Sequence, residues 1–245
     1  VPAIGAQLQL AHGDFEGALE SYGKAIKQLA RAGEKRSAGM LLLNYVSLSV
    51  MLHKAPAALG FARQQALDGE EAGSVAFLQA VLGNAAAEAE ALRQHAATHP
   101  WESARSLEFR RALIAASVAD LRGDGQAAMN SLAGFPNYLD PGVLYTRGTA
   151  HLLTGDYAAA EREFRLVFLQ ERNLANYGLV LQRLPAFTIL THRSLGELHQ
   201  RTGKQELAIN EYQEFLSYFE NSRTRLPAVA ETRQALQRLM QQGTP

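Results

Sequence analysis

The sequence predicts an all-α chain: a solenoid of about five to six antiparallel helical hairpins, finished by a C-terminal capping helix. Three observations lead there. Four small residues each have an alanine twelve positions on: Ala6 with Ala18, Ala116 with Ala128, Gly148 with Ala160, and Gly196 with Ala208. A glycine stands five residues before each second member (Gly13, Gly123, Gly155, Gly203), and a large side chain four after it (Tyr22, Leu132, Phe164, Tyr212). No strand-like alternation of apolar and polar residues runs long enough to matter.

Each part of the pattern has a physical role in a helical hairpin. Small residues let two antiparallel helices approach closely. Glycine ends the first helix, where a left-handed conformation costs it nothing. Asp14, Asp124 and Asp156 follow and can cap the second helix through its free N–H groups, whereas Lys204 breaks this pattern. The large residue shares the helical face of the alanine and is expected to fill the gap between hairpins.

In chain order, regular hairpins are expected at about 1–32, 107–134, 141–170 and 186–219. Between 34 and 98 the signature degrades into two further hairpins. Helical patterns remain there at about Glu34–Leu52, Pro56–Leu67, Gly73–Leu82 and Ala85–Ala97, with breaks at Lys54-Ala55-Pro56 and Gly83-Asn84. Gly123 to Gly155 spans 32 residues and Gly155 to Gly203 spans 48, so extra residues fall in Gln170–Leu184. A longer loop or extended helix projecting from one edge is expected there. The last segment, about 227–241, opens with Pro227 in a first turn and is expected to cover the end of the stack. The whole chain reads as a single domain.

Composition excludes several chemistries. There are no cysteines, so disulfides, thiolate nucleophiles and Cys-based metal sites are out. Lys plus Arg and Asp plus Glu are equal at 24 each, which gives no global field for nucleic acid. The most apolar stretch, Met40 to Leu52, is interrupted by Asn44, Ser47 and Ser49 and is shorter than the ~20 residues that span a bilayer, so membrane insertion is not expected. The chain begins Val-Pro-Ala without a signal-peptide pattern and reads as a piece of a longer polypeptide.

The spacing resembles that of the tetratricopeptide repeat (TPR), nominally about 34 residues. The resemblance is carried by Ala18-Leu19-Glu20-Ser21-Tyr22, by Leu144-Tyr145-Thr146-Arg147-Gly148-Thr149-Ala150, and by Gly155-Asp156-Tyr157 through Ala160 to Phe164. It continues in Leu195-Gly196-Glu197-Leu198 and Tyr212-Gln213-Glu214-Phe215-Leu216. The full length resembles TPR regions found C-terminally in bacterial eukaryotic-like serine/threonine kinases and in some winged-helix regulators. That resemblance implies a sensory or recruiting module of a signalling protein, on either the cytoplasmic or the extracytoplasmic side of a bacterial membrane. No glycine-rich ATP loop or Asp-Phe-Gly occurs, so a kinase domain would lie outside this chain.

Catalytic and metal constellations are weak. His95 and His99, four apart, can share one helical face, but no third ligand is evident, and two exposed polar residues near a helix end are expected. His151 and His199, each three residues after a small glycine, are expected to pack. No Gly-x-Ser-x-Gly elbow occurs, Arg122-Gly123-Asp124-Gly125 reads as a turn, and the pairs Glu70-Glu71 and Glu161-Glu163 read as solvated surface. No enzyme activity and no cofactor are expected of this chain.

The expected site is the inner face of the first helices, where stacked hairpins hold extended peptides or helices. Counted from the small residues, that face presents Arg110, Leu113, Ser117 and Asp120, then Tyr145, Thr149 and Leu152, then Arg193, Glu197, Gln200 and Arg201. Aromatic, hydroxyl and guanidinium groups of this kind suit a protein or peptide partner. The Lys and Asn of the TPR clamp for two carboxylates are missing. Arg193 with Glu197 could instead pair internally. A second basic cluster, Arg223, Arg225, Arg233 and Arg238, could dock an acidic partner or simply keep the end soluble. The alternatives are self-association as a homo-oligomer or spacer, and a metabolite pocket in the middle hairpins lined by Met40–Met51.

Overall fold

The computed structural model describes residues 2–176, 185–220, 222 and 224–242. Among the described residues every regular element is a helix: α1 (Pro2–Ala11), α2 (Phe15–Arg31), α3 (Lys35–Met51), α4 (Ala55–Gln64), α5 (Ala72–Val81), α6 (Ala85–Thr98), α7 (Ala104–Leu121), α8 (Gly125–Leu132), α9 (Pro141–Thr154), α10 (Tyr157–Asn176), α11 (Pro185–Arg201), α12 (Gln205–Ser217) and α13 (Pro227–Gln242). The first twelve form six hairpins, each closed by a turn of two or three residues. The fold is all-α.

The turns obey the local chemistry of the sequence. Gly13, Gly123, Gly155 and Gly203 all have positive φ, from 69° to 83°. Asp14 Oδ1 accepts the N–H of Gly17 at 3.0 Å, Asp124 Oδ1 that of Ala127 at 2.9 Å, and Asp156 Oδ1 that of Ala159 at 3.1 Å. Lys204 supplies no such cap.

The small residues act differently from the expectation. A Cβ added to Gly148 would meet the ring of Phe164 first, and one added to Gly196 the ring of Tyr212. The space left by the glycine is therefore occupied by the aromatic ring of the same hairpin, not by the backbone opposite Ala160 or Ala208. Each ring also reaches the next element, as expected: Phe164 packs with Leu195 and Leu198 of α11, and Tyr212 with Leu239 of α13. Phe164 is fully buried and Tyr212 nearly so.

Successive first helices touch from α3 to α5, α7, α9 and α11, and α11 in turn touches α1. The first hairpin is thus seated against the last. Gly13 has no room for a Cβ because the carbonyl of Tyr218 lies against it. Ser222 Oγ donates to the Gly13 carbonyl oxygen at 2.6 Å, the Phe15 N–H donates to Thr224 Oγ1 at 2.8 Å, and the rings of Phe15 and Phe219 lie 5.5 Å apart. One buried cluster accordingly joins Ala3, Ala6 and Leu10 to Ala186, Ile189, Phe215 and Phe219. α13 packs on α12, with Val229 at its start in the same cluster.

The long α10 reaches Asn176, beyond the expected hairpin end at 170. Its Glu171 is buried, only 3% exposed, and its charge bears on the Tyr22 hydroxyl of α2. The helix thus extends into the insertion, as one of the two expected forms; positions 177–184 lie outside the described residues.

Candidate functional site

The register of the hairpins continues through the degenerate middle. His53, at φ 57°, and Gly83, at φ 80°, occupy the turn position that Gly123 holds in the next hairpin. Thirteen residues before these three turns stand Met40, Glu70 and Arg110; ten before stand Leu43, Gly73 and Leu113. The first five of these six line a single cleft of about 290 Å³ between α3, α5 and α7. Arg36, Gly39, Ser74, His95, His99, Trp101 and Glu102 complete its walls.

Small residues open this cleft. A Cβ on Gly39 would stand 2.8 Å from Glu70 Cβ, so α3 reaches the Glu70 backbone only because Gly39 has none. Gly69, at φ 96°, leaves space for Thr98 of α6, which seats the loop before α5 on the end of α6. Glu71 braces that loop by accepting the N–H groups of Leu67 and Gly69 at 3.2 and 3.1 Å. Glu70 is thereby delivered to His99, 3.3 Å away.

The polar floor is a linked set. The rings of His95 and His99 stack with centroids 4.1 Å apart, and Trp101 lies tilted against His99 at 5.2 Å. Glu102 uses both oxygens: Oε2 lies 2.7 Å from His95 Nε2 and Oε1 accepts from Arg110 Nη2 at 3.0 Å. A carboxylate oxygen needs a donor, so His95 carries its proton on Nε2 and presents Nδ1 as a bare acceptor. Burial, together with the Arg110 charge, holds the His95 pKa below the ordinary histidine value. Burial alone would raise the Glu102 carboxyl, but Arg110 and His95 outweigh it and leave its pKa low.

Beneath this cleft three polar atoms closed to solvent have no hydrogen-bond partner among the described residues: Ser74 Oγ, His95 Nδ1 and Arg110 Nε. Above them the rim is apolar and open, with Met40 42%, Leu43 47% and Trp101 70% exposed. An apolar rim open to solvent around a cleft with polar walls is a concave surface of the kind that holds ligands.

Most residues expected to form the groove lie elsewhere. Arg110 alone of that set lines the cleft. Leu113 and Ser117 are half-buried along α7. Leu152 is 4% exposed and packs with Phe164, Leu195 and Leu198, so it is a core residue and not a groove contact. Arg193 pairs with Glu231 of α13 at 2.8 Å, not with Glu197, which is taken by Arg201. Gln200 Oε1 accepts the Tyr212 hydroxyl at 2.9 Å. Asp120, Tyr145 and Thr149 do converge with Ser194 and Arg193. Burial raises the Tyr145 pKa against the effect of Ser194, and raises that of Asp120 to about 8.

His95 and His99 also depart from expectation, whereas His199 packs as expected. His95 is 5% exposed and belongs to the cleft floor, so the description of His95 and His99 as exposed polar residues is corrected. Among the described residues no three His, Asp or Glu side chains are grouped as a metal ion would require. His199 is 1% exposed, and burial lowers its pKa; His151 lies 3.6 Å from Asp156. In the C-terminal basic cluster, Arg223 lies outside the described residues. No helix of the described chain is long and apolar enough to cross a membrane.

Comparison with models of known families and with curated proteins gave no match for the chain.

Proposed function

We propose that the chain is a TPR-type recognition module without catalytic activity of its own, and that it binds a polypeptide partner at the cleft between α3, α5 and α7. The observation that carries this reading is an exposed apolar rim, Met40, Leu43 and Trp101, around a cleft with polar walls. An exposed tryptophan beside two arginines, Arg36 and Arg110, is the composition of a contact hot spot. The rim offers area to an extended chain, and Arg36 and Arg110 at its walls offer guanidinium groups to it. The resemblance to kinase- and regulator-associated repeats supports a recruiting role within a larger bacterial signalling protein.

The reading is tested by selecting binding peptides from a displayed library against the purified chain and measuring them by calorimetry. Trp101→Ala should weaken the selected peptides by about 30-fold, as loss of a hot-spot aromatic does, with the melting temperature unchanged. Arg193→Ala should leave affinity intact. Peptides that bind Trp101→Ala as tightly as the parent, or a library that yields none, would overturn the reading.

A further inference from the structure

Resting on the polypeptide reading, we propose that the segment taken by the cleft is both acidic and apolar. A carboxylate side chain of the partner pairs with Arg36, and a bulky apolar side chain within two residues of it is covered by Met40, Leu43 and Trp101.

Arg36, Met40 and Leu43 stand four and three residues apart on α3, which puts them on one helical face, and all three are exposed. At 1.5 Å of rise per residue, Arg36 lies about 6 Å along the helix from Met40. Side chains on one side of an extended chain are two residues apart, about 6.6 Å. A carboxylate and an apolar side chain separated by one residue therefore reach Arg36 and Met40 together. Trp101, 70% exposed on the connection between α6 and α7, lines the same cleft and gives the apolar side chain a second wall.

The sign of the partner's charge follows from how the cleft's own charges are engaged. Glu102 is shared between His95 and Arg110, at 2.7 and 3.0 Å, and Glu70 lies 3.3 Å from His99. Their side chains are only 17% and 24% exposed. Arg36 is the one arginine lining the cleft that has no ion pair among the described residues. Its neighbour Lys35 is taken by Asp68. A carboxylate entering here gains a guanidinium fork without displacing an internal partner. A lysine would meet Arg36 as a like charge and find both glutamates already engaged. A wholly apolar segment would cover Arg36 and strip its water with no pair in return.

The test follows the Trp101 indole N–H and the Met40 methyl by NMR, on the full chain at pH 7.5 and low salt. The probes are three capped tripeptides: acetyl-Glu-Ala-Leu N-methylamide and its Gln-Ala-Leu and Lys-Ala-Leu counterparts. The glutamate probe should bind about three-fold more tightly than the glutamine probe and about ten-fold more tightly than the lysine probe, the size expected of an exposed ion pair. High salt should remove the difference. Arg36→Glu should keep the helical spectrum and reverse the order, so that the lysine probe binds best. Should Arg36→Glu misfold, Arg36→Gln serves as the second variant and should bring the glutamate and glutamine probes to equal affinity. Equal affinities for the three probes in the parent, an order that the Arg36 variants leave unchanged, or no movement of Trp101 and Met40 with any probe would overturn the proposal. The displayed library separates the two claims. Trp101-dependent peptides that carry no carboxylate near their apolar residue, and that bind Arg36→Glu as tightly as the parent, would sink the acidic preference and spare the polypeptide reading. An Arg36-dependent response to the glutamate probe with no peptide selected would do the reverse.

Discussion

Thr224 Oγ1 accepts the backbone N–H of Phe15 across 209 residues of sequence, and beside it Ser222 Oγ donates to the Gly13 carbonyl oxygen. These bonds tie the turn of the first hairpin to the segment leading into α13. Replacing both residues, Ser222→Ala with Thr224→Val, should cost about 1 kcal/mol per hydrogen bond. Hydrogen exchange should then accelerate together in α1–α2 and in α12–α13. Acceleration in only one of them would mean the two ends are not joined energetically.

Phe219 is the apolar half of the same junction, 3% exposed and 5.5 Å from Phe15. Phe219→Ala should destabilise the chain by about 3–5 kcal/mol, the range for an aromatic removed from a packed core. Denaturant unfolding would give this value, and a loss below about 1 kcal/mol would contradict the packing described.

Gly148 and Gly196 each receive an aromatic ring where a Cβ would stand. Gly148→Ala and Gly196→Ala should therefore destabilise by about 1–3 kcal/mol through overpacking. Gly60, exposed within α4 and with nothing near its Cβ position, makes the opposite case. Gly60→Ala should stabilise by about 0.5–1 kcal/mol, because alanine loses less backbone entropy in a helix. Thermal unfolding of the three variants gives the signs directly.

Asp120 sets one pH dependence. Burial raises its folded pKa to about 8 from an ordinary 3.8. Between those values the folded chain holds a proton that the unfolded chain has released, so stability falls as pH rises across that window and is flat above it. Asp120→Asn should remove the decline, and its advantage over the parent should grow from pH 4 to pH 8. An equal pH profile in the two proteins would show that Asp120 titrates normally.

His95 works in the other direction. Its folded pKa is lowered, so at pH values between that and 6.5 the unfolded chain binds more protons and stability drops on acidification. Glu102 adds to this at lower pH. Its depressed pKa contributes stability above the unfolded carboxylate value, and that contribution is lost as pH falls through the folded one. Glu102→Gln should flatten the acid limb of the stability curve and remove the charge that pairs with Arg110. Denaturant midpoints from pH 3 to pH 7 would show it.

Turns, caps and helix pairs were legible in the sequence because each depends on residues within about twenty positions of one another. The cleft was only half legible. Arg110 and Leu113 are placed by their distance from the small residue Ala116, and the same count from Ala76 reaches Glu70 and Gly73. Gly83 also has Ala76 seven residues before it and Leu92 nine after, both buried, but Glu88 stands where the pattern has alanine. His53 holds the equivalent turn without being glycine. Those two departures hid the register of Met40 and Leu43. The seating of α1 on α11, like the Phe15–Thr224 bond across 209 residues beside it, had no local signature, since contacts so far apart in sequence leave no period to read. It also explains why α1 offers no inner surface: Ala3, Gln7 and Leu10, its equivalents of Leu113, Ser117 and Asp120, are buried.

The face that binds is the central claim, and chemical-shift mapping of a selected peptide on the full chain addresses it most directly. The Met40 methyl, the Trp101 indole N–H and the Arg110 Nε–H should move together in saturable fashion, while Arg193 and Arg201 stay still. Shifts confined to Arg193, Gln200 and Arg201, with Met40 and Trp101 unmoved, would contradict the account.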